Sequence, residues 1–395
     1  MRVSELGTPF LSAALLLPVF FLIDGTLYHQ THPSFDSGGV LSAVPLPVSI
    51  LACYAGILIV GAYRKAQSVI LFGLTFAAVM LTTSLAVGIS SQKAMLFVQL
   101  LLPVGGLVLG QMFEWDERSG ITWLAVALAI ISLQAISAFV RYGEVVFDHD
   151  VFLFSIYQHR QYVPLVLVAA FSMALVTLRR PAVPLLIVGW FAGMSLSFLA
   201  IGLFLTAISF CAAVRRSISL VVLGIAGLAL GLAATSNHPL ALDKARFEQG
   251  YTPPNVYQRL QAWRLYGDGV LETTKAFLLG HEKPIDRSVV ASAHNYYLDV
   301  SYNFGAFAML PMAALIAYTA WLALAVRPRD HRTVWLMILV AFLLLADNNL
   351  KVSLRQPYPG IFTYFLWGLL LARLESTSAW RLFPEHHEIN LAAEN

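Results

Sequence analysis

Residues 293 to 305 read Ala-His-Asn-Tyr-Tyr-Leu-Asp-Val-Ser-Tyr-Asn-Phe-Gly: a His-Asn pair, nine residues, then a glycine. Helical spacing would put His294, Leu298 and Ser301–Tyr302 on one face. Imidazole is the side chain whose ordinary pKa lets it take up a proton near neutrality, so His294 is a candidate general base. A structural, hydrogen-bonding histidine fits the same position. Upstream, between 236 and 304, stand Lys244, Arg246, Arg259, Arg264, Lys275, Lys283 and Arg287, interleaved with Tyr257, Trp263, Tyr266, Tyr296 and other aromatics. Guanidinium groups pair with phosphate oxygens two at a time, and aromatic rings offer apolar faces to sugar rings. Together they suit a phosphate or diphosphate that carries a sugar. A solvated amphipathic helix resting on lipid head groups would have a similar composition.

The segment 255–275 has helical character. Arg259 and Trp263, four apart, share one face, and Leu260 and Arg264 another. Thr252-Pro253-Pro254-Asn255 reads as a turn with Asn255 as cap, and Gly267 to Gly269 as an interruption.

The elements that position these residues follow from composition. Apolar residues make up 58% of the 395 and charged residues 12%, about half the roughly 25% that a water-facing surface carries. That excludes a soluble globular chain and points to an all-α, polytopic membrane protein. We read spans at 8–23, 45–62, 68–88, 94–110, 120–140, 162–178, 181–195, 198–214, 218–235, 305–326, 333–346 and 360–373. The apolar stretch 181–214 is too long for one crossing at about 1.5 Å per residue, so it is divided near Gly193–Ser197. The chain thus comprises 1–235 with nine spans, a long loop 236–304, three more spans in 305–374, and a polar, frayed tail 375–395.

Lysine and arginine orient the spans. Pairs such as Arg64–Lys65, Arg179–Arg180 and Arg215–Arg216 gather on one side, with Arg327, Arg329, Arg332 and Arg373. The short loops of the other side hold only Lys93, Arg141, Arg160, Lys351 and Arg355. The first side is cytoplasmic, with both termini, and 236–304 faces outward. A net charge of +3 gives no reason to expect nucleic acid. Cys53 and Cys211 lie in apolar runs, and no spacing offers four metal ligands. His29 and His32, and His386, His387 and Glu388, read as solvated surface.

These residues carry a resemblance. Arg259 with Trp263 four residues on, the Leu279-Gly280 turn, and His294-Asn295 followed by Gly305 look like the motifs of the O-antigen ligase and O-antigen polymerase superfamily of bacterial inner-membrane glycosyltransferases, most like its ligase branch. The motif-bearing match covers about 251–305; elsewhere the likeness is one of span layout. It implies a GT-C-like fold with about twelve transmembrane helices and a periplasmic loop at 236–304. The implied reaction moves a glycan from undecaprenyl diphosphate to a sugar hydroxyl of lipid A–core (ligase) or of a second lipid-linked glycan (polymerase), without cofactor or metal. His294 would be the base. Arg259, Arg264 and Arg160, then Arg246 and Arg355, would hold the diphosphate. Asn295, Tyr296, Trp263 and Tyr257 would meet the sugars, and the spans would hold the polyprenyl tail among membrane lipids. The family's Ser-Arg or Ser-Lys pair has no cation here, since the matching stretch reads Met194-Ser195-Leu196-Ser197-Phe198. Arg160 is the expected substitute. Ala306-Phe307 stands where ligases carry a Thr pair. A lipid-linked glycan transporter is the alternative of another class; charge inside the spans would favour it.

Overall fold

The computed structural model describes residues 15, 20–21, 46–113, single positions between 122 and 136, 162–178, 180–244, 254–286, 289–290 and 292–378. The expected spans 8–23 and 120–140 lie largely outside them. So do Arg160, Arg246, His29, His32 and the tail beyond 378.

A two-residue antiparallel pairing joins β1 (Phe20–Phe21) to β2 (Leu46–Pro47). The other regular elements among the described residues are helical. First come α1 (Val48–Val60), α2 (Gln67–Val87), α3 (Ser91–Leu101) and α4 (Gly105–Met112). Then follow α5 (Tyr162–Thr177), α6 (Ala182–Met194), α7 (Phe198–Arg215), α8 (Ile218–Ala234) and the short α9 (Pro239–Lys244). After them run α10 (Pro254–Leu271), α11 (Thr274–Leu279), α12 (Tyr296–Val326), α13 (His331–Ala341) and α14 (Pro357–Thr377). Among the described residues, five helical stretches are long and apolar enough to cross a membrane: Tyr63–Val87, Ser91–Met112, Phe198–Arg215, Tyr296–Val326 and His331–Leu350. Leu324 is 74% exposed, Phe198 72% and Leu85 68%. Large apolar side chains turned outward on such helices mark a membrane protein.

The stretch 181–214 forms two helices, parted where Leu196 takes φ 48°. Ser197 caps the second, its Oγ accepting from Ala200 N at 3.4 Å. A left-handed residue ends one helix, and a serine oxygen satisfies a leading amide of the next.

The centre of the bundle is α14, whose residues from Tyr358 to Leu371 are all buried. It lies against α4 at backbone contact. A Cβ on Gly106 or Gly110 would overlap the carbonyl oxygens of Ile361 and Phe365, and one on Gly368 would overlap that of Leu107. In lipid there is little hydrophobic drive between helices, so small residues that let backbones touch supply the packing. In the same way Gly189 and Gly193 of α6 approach the carbonyl oxygens of Gly224 and Leu228, and Gly227 and Gly231 of α8 those of Leu186 and Trp190.

The two ends of the bundle differ. At one, Glu375 accepts from Tyr318 Oη at 2.8 Å, Ser68 Oγ at 3.2 Å and Gln111 Nε2 at 2.5 Å, tying α2, α4, α12 and α14 together. Glu375 therefore belongs to the last helix and not to a frayed tail. It stays ordered because three partners satisfy its carboxylate. At the other end, Lys93 Nζ donates to the His281 carbonyl at 2.7 Å and Ser90 Oγ to that of Glu282 at 3.2 Å. This seats the late loop on the α2–α3 hairpin.

Three local expectations are corrected. The helix α10 starts at Pro254, so Asn255 lies inside its first turn and is not its cap. It runs unbroken through Gly267 and Gly269 and ends at Leu271, with α11 capped by Thr273, whose Oγ1 accepts from Ala276 N at 3.0 Å. Buried Tyr266 and Val270 hold this last turn, and Gly269 is where the Tyr302 ring comes too close for any Cβ. The third concerns His294. It precedes α12 with φ 48°, Asn295 being the cap, so it shares no helical face with Leu298.

Candidate functional site

The His294–Asn295 turn is set by local chemistry. Left-handed backbone costs a non-glycine residue about 1–2 kcal/mol, and here it turns the chain into α12. Asn295 Oδ1 accepts from Leu298 N at 3.1 Å, closing the first turn. His294 N donates to Ser292 Oγ at 3.3 Å. Within α12 the chain kinks at Gly305, with φ 78° and ψ 174°. Gly280 also has φ 78°, and the two pack so closely that a Cβ on Gly305 would strike the Leu278 carbonyl and one on Gly280 the backbone of Asn303. The Leu279-Gly280 turn and Gly305 thus form one joint: each needs a conformation and a clearance that only glycine supplies. His281 reinforces it, with N donating to Tyr302 O at 2.9 Å and its ring stacked on Tyr302 at 4.1 Å.

The first turns of α12 face the segment that follows α13. There the helix widens to π geometry over Phe342–Asp347, then makes one turn, Asn348–Leu350, and a short 3₁₀ turn, Ser353–Arg355. Asn348 spans the break, its Oδ1 accepting from Leu354 N at 2.9 Å and its Nδ2 donating to Leu343 O at 2.7 Å. Asn295 Nδ2 donates to Asn349 Oδ1 at 3.3 Å, joining the His294 turn to this segment. Tyr297 Oη donates to Leu344 O at 2.8 Å.

Charge collects at this junction. Arg355 Nη1 lies 2.7 Å from Asp299 Oδ2, both side chains buried, while Arg355 Nε has no hydrogen-bond partner. Lys351 Nζ lies 3.8 Å from Asp347 Oδ1 and 5.2 Å from the centre of the Tyr162 ring. Arg259 of α10 is half-buried close by, its charge acting on both Tyr162 and Lys351. Burial lowers the Arg259 pKa from its ordinary value, with the Tyr162 hydroxyl opposing. For Arg355 burial also opposes the charge, but Asp299, helped by Tyr266 and Tyr162, outweighs it and the pKa rises. Among the described residues, three cations from two distant segments gather with two carboxylates beneath the His294 turn, a formal excess of one positive charge. A protein interior accepts uncompensated charge only at considerable expense, so such a cluster is suited to an anionic ligand.

The sequence candidates divide. His294, Asn295, Arg259 and Arg355 are brought to the junction. Trp263, on the same face of α10 as Arg259, is half-buried, and its Nε1 lacks an acceptor. Arg264 falls on the outer face of that helix and is exposed, as is Tyr257. A helix presents only one face to its support, and Ala262, Tyr266 and Val270 claim it. Tyr296 is fully buried, its Oη 3.5 Å from Tyr364 Oη, so it is a core residue and not a sugar platform. Arg160 and Arg246 lie outside the described residues. In sequence Lys351 stands out only as a topological charge, and Asp299, Asp347 and Tyr162 do not stand out at all. The polar run Asp347-Asn348-Asn349-Leu350-Lys351 at the end of an apolar segment was the available signal. Among the described residues no cluster of three or more His, Cys, Asp or Glu could hold a metal. No protein-family model matches the chain, and no curated protein matches it.

Proposed function

We propose that this chain is a bacterial inner-membrane glycosyltransferase of the O-antigen ligase kind. It has about twelve spans, both ends in the cytoplasm and 236–304 in the periplasm. It moves a glycan from undecaprenyl diphosphate to a sugar hydroxyl of lipid A–core. The observation that supports this reading is the convergence of Arg259 and Arg355 beside the His294–Asn295 turn, from segments far apart in sequence. His294 takes the proton of the acceptor hydroxyl as that oxygen attacks the anomeric carbon. The bond to the diphosphate oxygen breaks, and Arg259 and Arg355 stabilise the negative charge the diphosphate gains. Attack opposite the leaving group inverts the anomeric centre.

Purified protein in lipid nanodiscs, given a lipid-diphosphate glycan and lipid A–core, should form the joined product. Arg259→Ala should reduce transfer at least tenfold, the scale of a lost charged hydrogen bond, whereas Arg264→Ala should leave it within about twofold. Equal losses would remove the diphosphate assignment. For the topology, a cysteine at exposed Lys283 should react with an impermeant maleimide added from the periplasmic side. Reaction from the cytoplasmic side alone would reverse the orientation.

The same site serves a polymerase if the acceptor is a second lipid-linked glycan, and the acceptor requirement decides between them. The buried Asp299–Arg355 pair, the Gly305 kink and the π segment ending at Asp347 are features a transporter also uses. Passage of intact donor across the membrane without a joined product would establish that reading instead.

A further inference from the structure

We propose that Asn303 is a positioning residue: it fixes the Asp299 carboxylate that holds Arg355, and so sets how the guanidinium meets the donor diphosphate. The inference rests on the reading of Arg355 as a diphosphate-binding residue. Asp299 and Asn303 stand one turn apart in α12 and are both 1% exposed. Asn303 Nδ2 donates to the Asp299 backbone oxygen at 2.7 Å and lies 3.5 Å from Asp299 Oδ1. The other carboxylate oxygen, Oδ2, accepts from Arg355 Nη1 at 2.7 Å. Each oxygen of the carboxylate thus faces its own neighbour, which favours one orientation of the group. Arg355 Nε is buried without a hydrogen-bond partner, so among the described residues Asp299 is the acceptor that places the guanidinium. A guanidinium carries five N–H donors, and those on its nitrogens that Asp299 does not take remain for phosphate oxygens.

Two features single out asparagine for this place. A cation at 303 would compete with Arg355 for the Asp299 charge, and a carboxylate would repel it. A neutral donor steadies the carboxylate and leaves its charge to the guanidinium. Asparagine is also unfavourable here as a purely structural residue. It is a poor helix former, and its Oδ1 is buried with no hydrogen-bond partner, a loss that an apolar side chain of similar shape would avoid. The backbone beneath it is tightly packed. A Cβ on Gly280 would lie 2.5 Å from the Asn303 carbonyl carbon, and His281 N donates to Tyr302 O at 2.9 Å. The joint of Gly280 and Gly305 therefore anchors Asn303, Asn303 steadies Asp299, and Asp299 holds Arg355.

The test measures binding of farnesyl diphosphate, a water-soluble polyprenyl diphosphate, to the full-length protein in detergent micelles by calorimetry, together with the unfolding midpoint of each variant. Asn303→Leu keeps the branched shape and removes both the donor and the unsatisfied oxygen. It should lower affinity about 3- to 10-fold, the scale of one neutral hydrogen bond, with a midpoint close to that of wild type. Should Asn303→Leu not fold, Asn303→Ser, which removes the carboxamide and adds no apolar bulk, is read in the same way. Unchanged affinity overturns the inference. So does a fall in affinity accompanied by a lowered midpoint, because Asn303 then serves the fold alone. The double variant Asp299→Leu with Arg355→Met, which lacks the guanidinium, is the reference and should bind more weakly than Asn303→Leu. If wild type does not bind, or the double variant binds as wild type does, the diphosphate reading of Arg355 fails. If those two behave as expected and Asn303→Leu binds as wild type does, that reading stands and only the positioning role fails.

Discussion

Alanine in place of His294 should reduce glycan transfer by roughly 100- to 10,000-fold, the contribution of a positioned general base, and leave binding of a polyprenyl diphosphate intact. The separation follows from the proposed roles, in which Arg259 and Arg355 would meet the diphosphate and His294 the acceptor hydroxyl. Two controls distinguish base from scaffold. His294→Gln keeps a hydrogen-bonding side chain but cannot take the proton, so it should be as inactive as alanine. An active glutamine enzyme would mean that the ring only orients a neighbour. His294→Gly relieves the left-handed backbone and should fold at least as well as wild type. The base must be unprotonated, so activity should fall toward acid pH. A flat profile from pH 5 to 8, with transfer rate-limiting, would leave cation clamping as the main contribution.

Breaking the Asp299–Arg355 pair should have the largest effect on stability. Both groups are buried and 2.7 Å apart. Removing one leaves the other charged and without its counter-ion, which costs about 3–5 kcal/mol. Asp299→Ala and Arg355→Met should therefore each lower the unfolding midpoint strongly. The double variant Asp299→Leu with Arg355→Met removes both charges and should recover most of the loss, because an apolar replacement of a buried pair is often neutral. It should still fail to transfer glycan, since the guanidinium is gone. A double variant as unstable as either single one would show that these residues matter through packing and not through their pairing.

The helical periods and apolar runs were legible in the chain because lipid imposes a one-dimensional rule. Each crossing segment must be apolar and must satisfy its own backbone. Helices accordingly lie at each expected span that the described residues contain, and the break between α6 and α7 falls within the expected 193–197. The His294-Asn295-x9-Gly305 spacing was legible for a similar reason, since a cap and a kink are events in one stretch of chain. The cation cluster was not. Whether Arg259 or Arg264 turns inward depends on which face of α10 packs, and Tyr266 and Val270 decide that through contacts with other elements. Tyr296 reads as an exposed aromatic in sequence and becomes a core residue because Tyr364, on the central helix, meets it. Composition marks Lys351 and Arg355 only as loop charges. They join the candidate site because a π segment, bridged by Asn348, folds them back over the first turns of α12, where Asp299 lies one turn beyond the Asn295 cap. Periodicity is a property of neighbours in the chain, whereas an ion pair across 56 residues is a property of how helices pack.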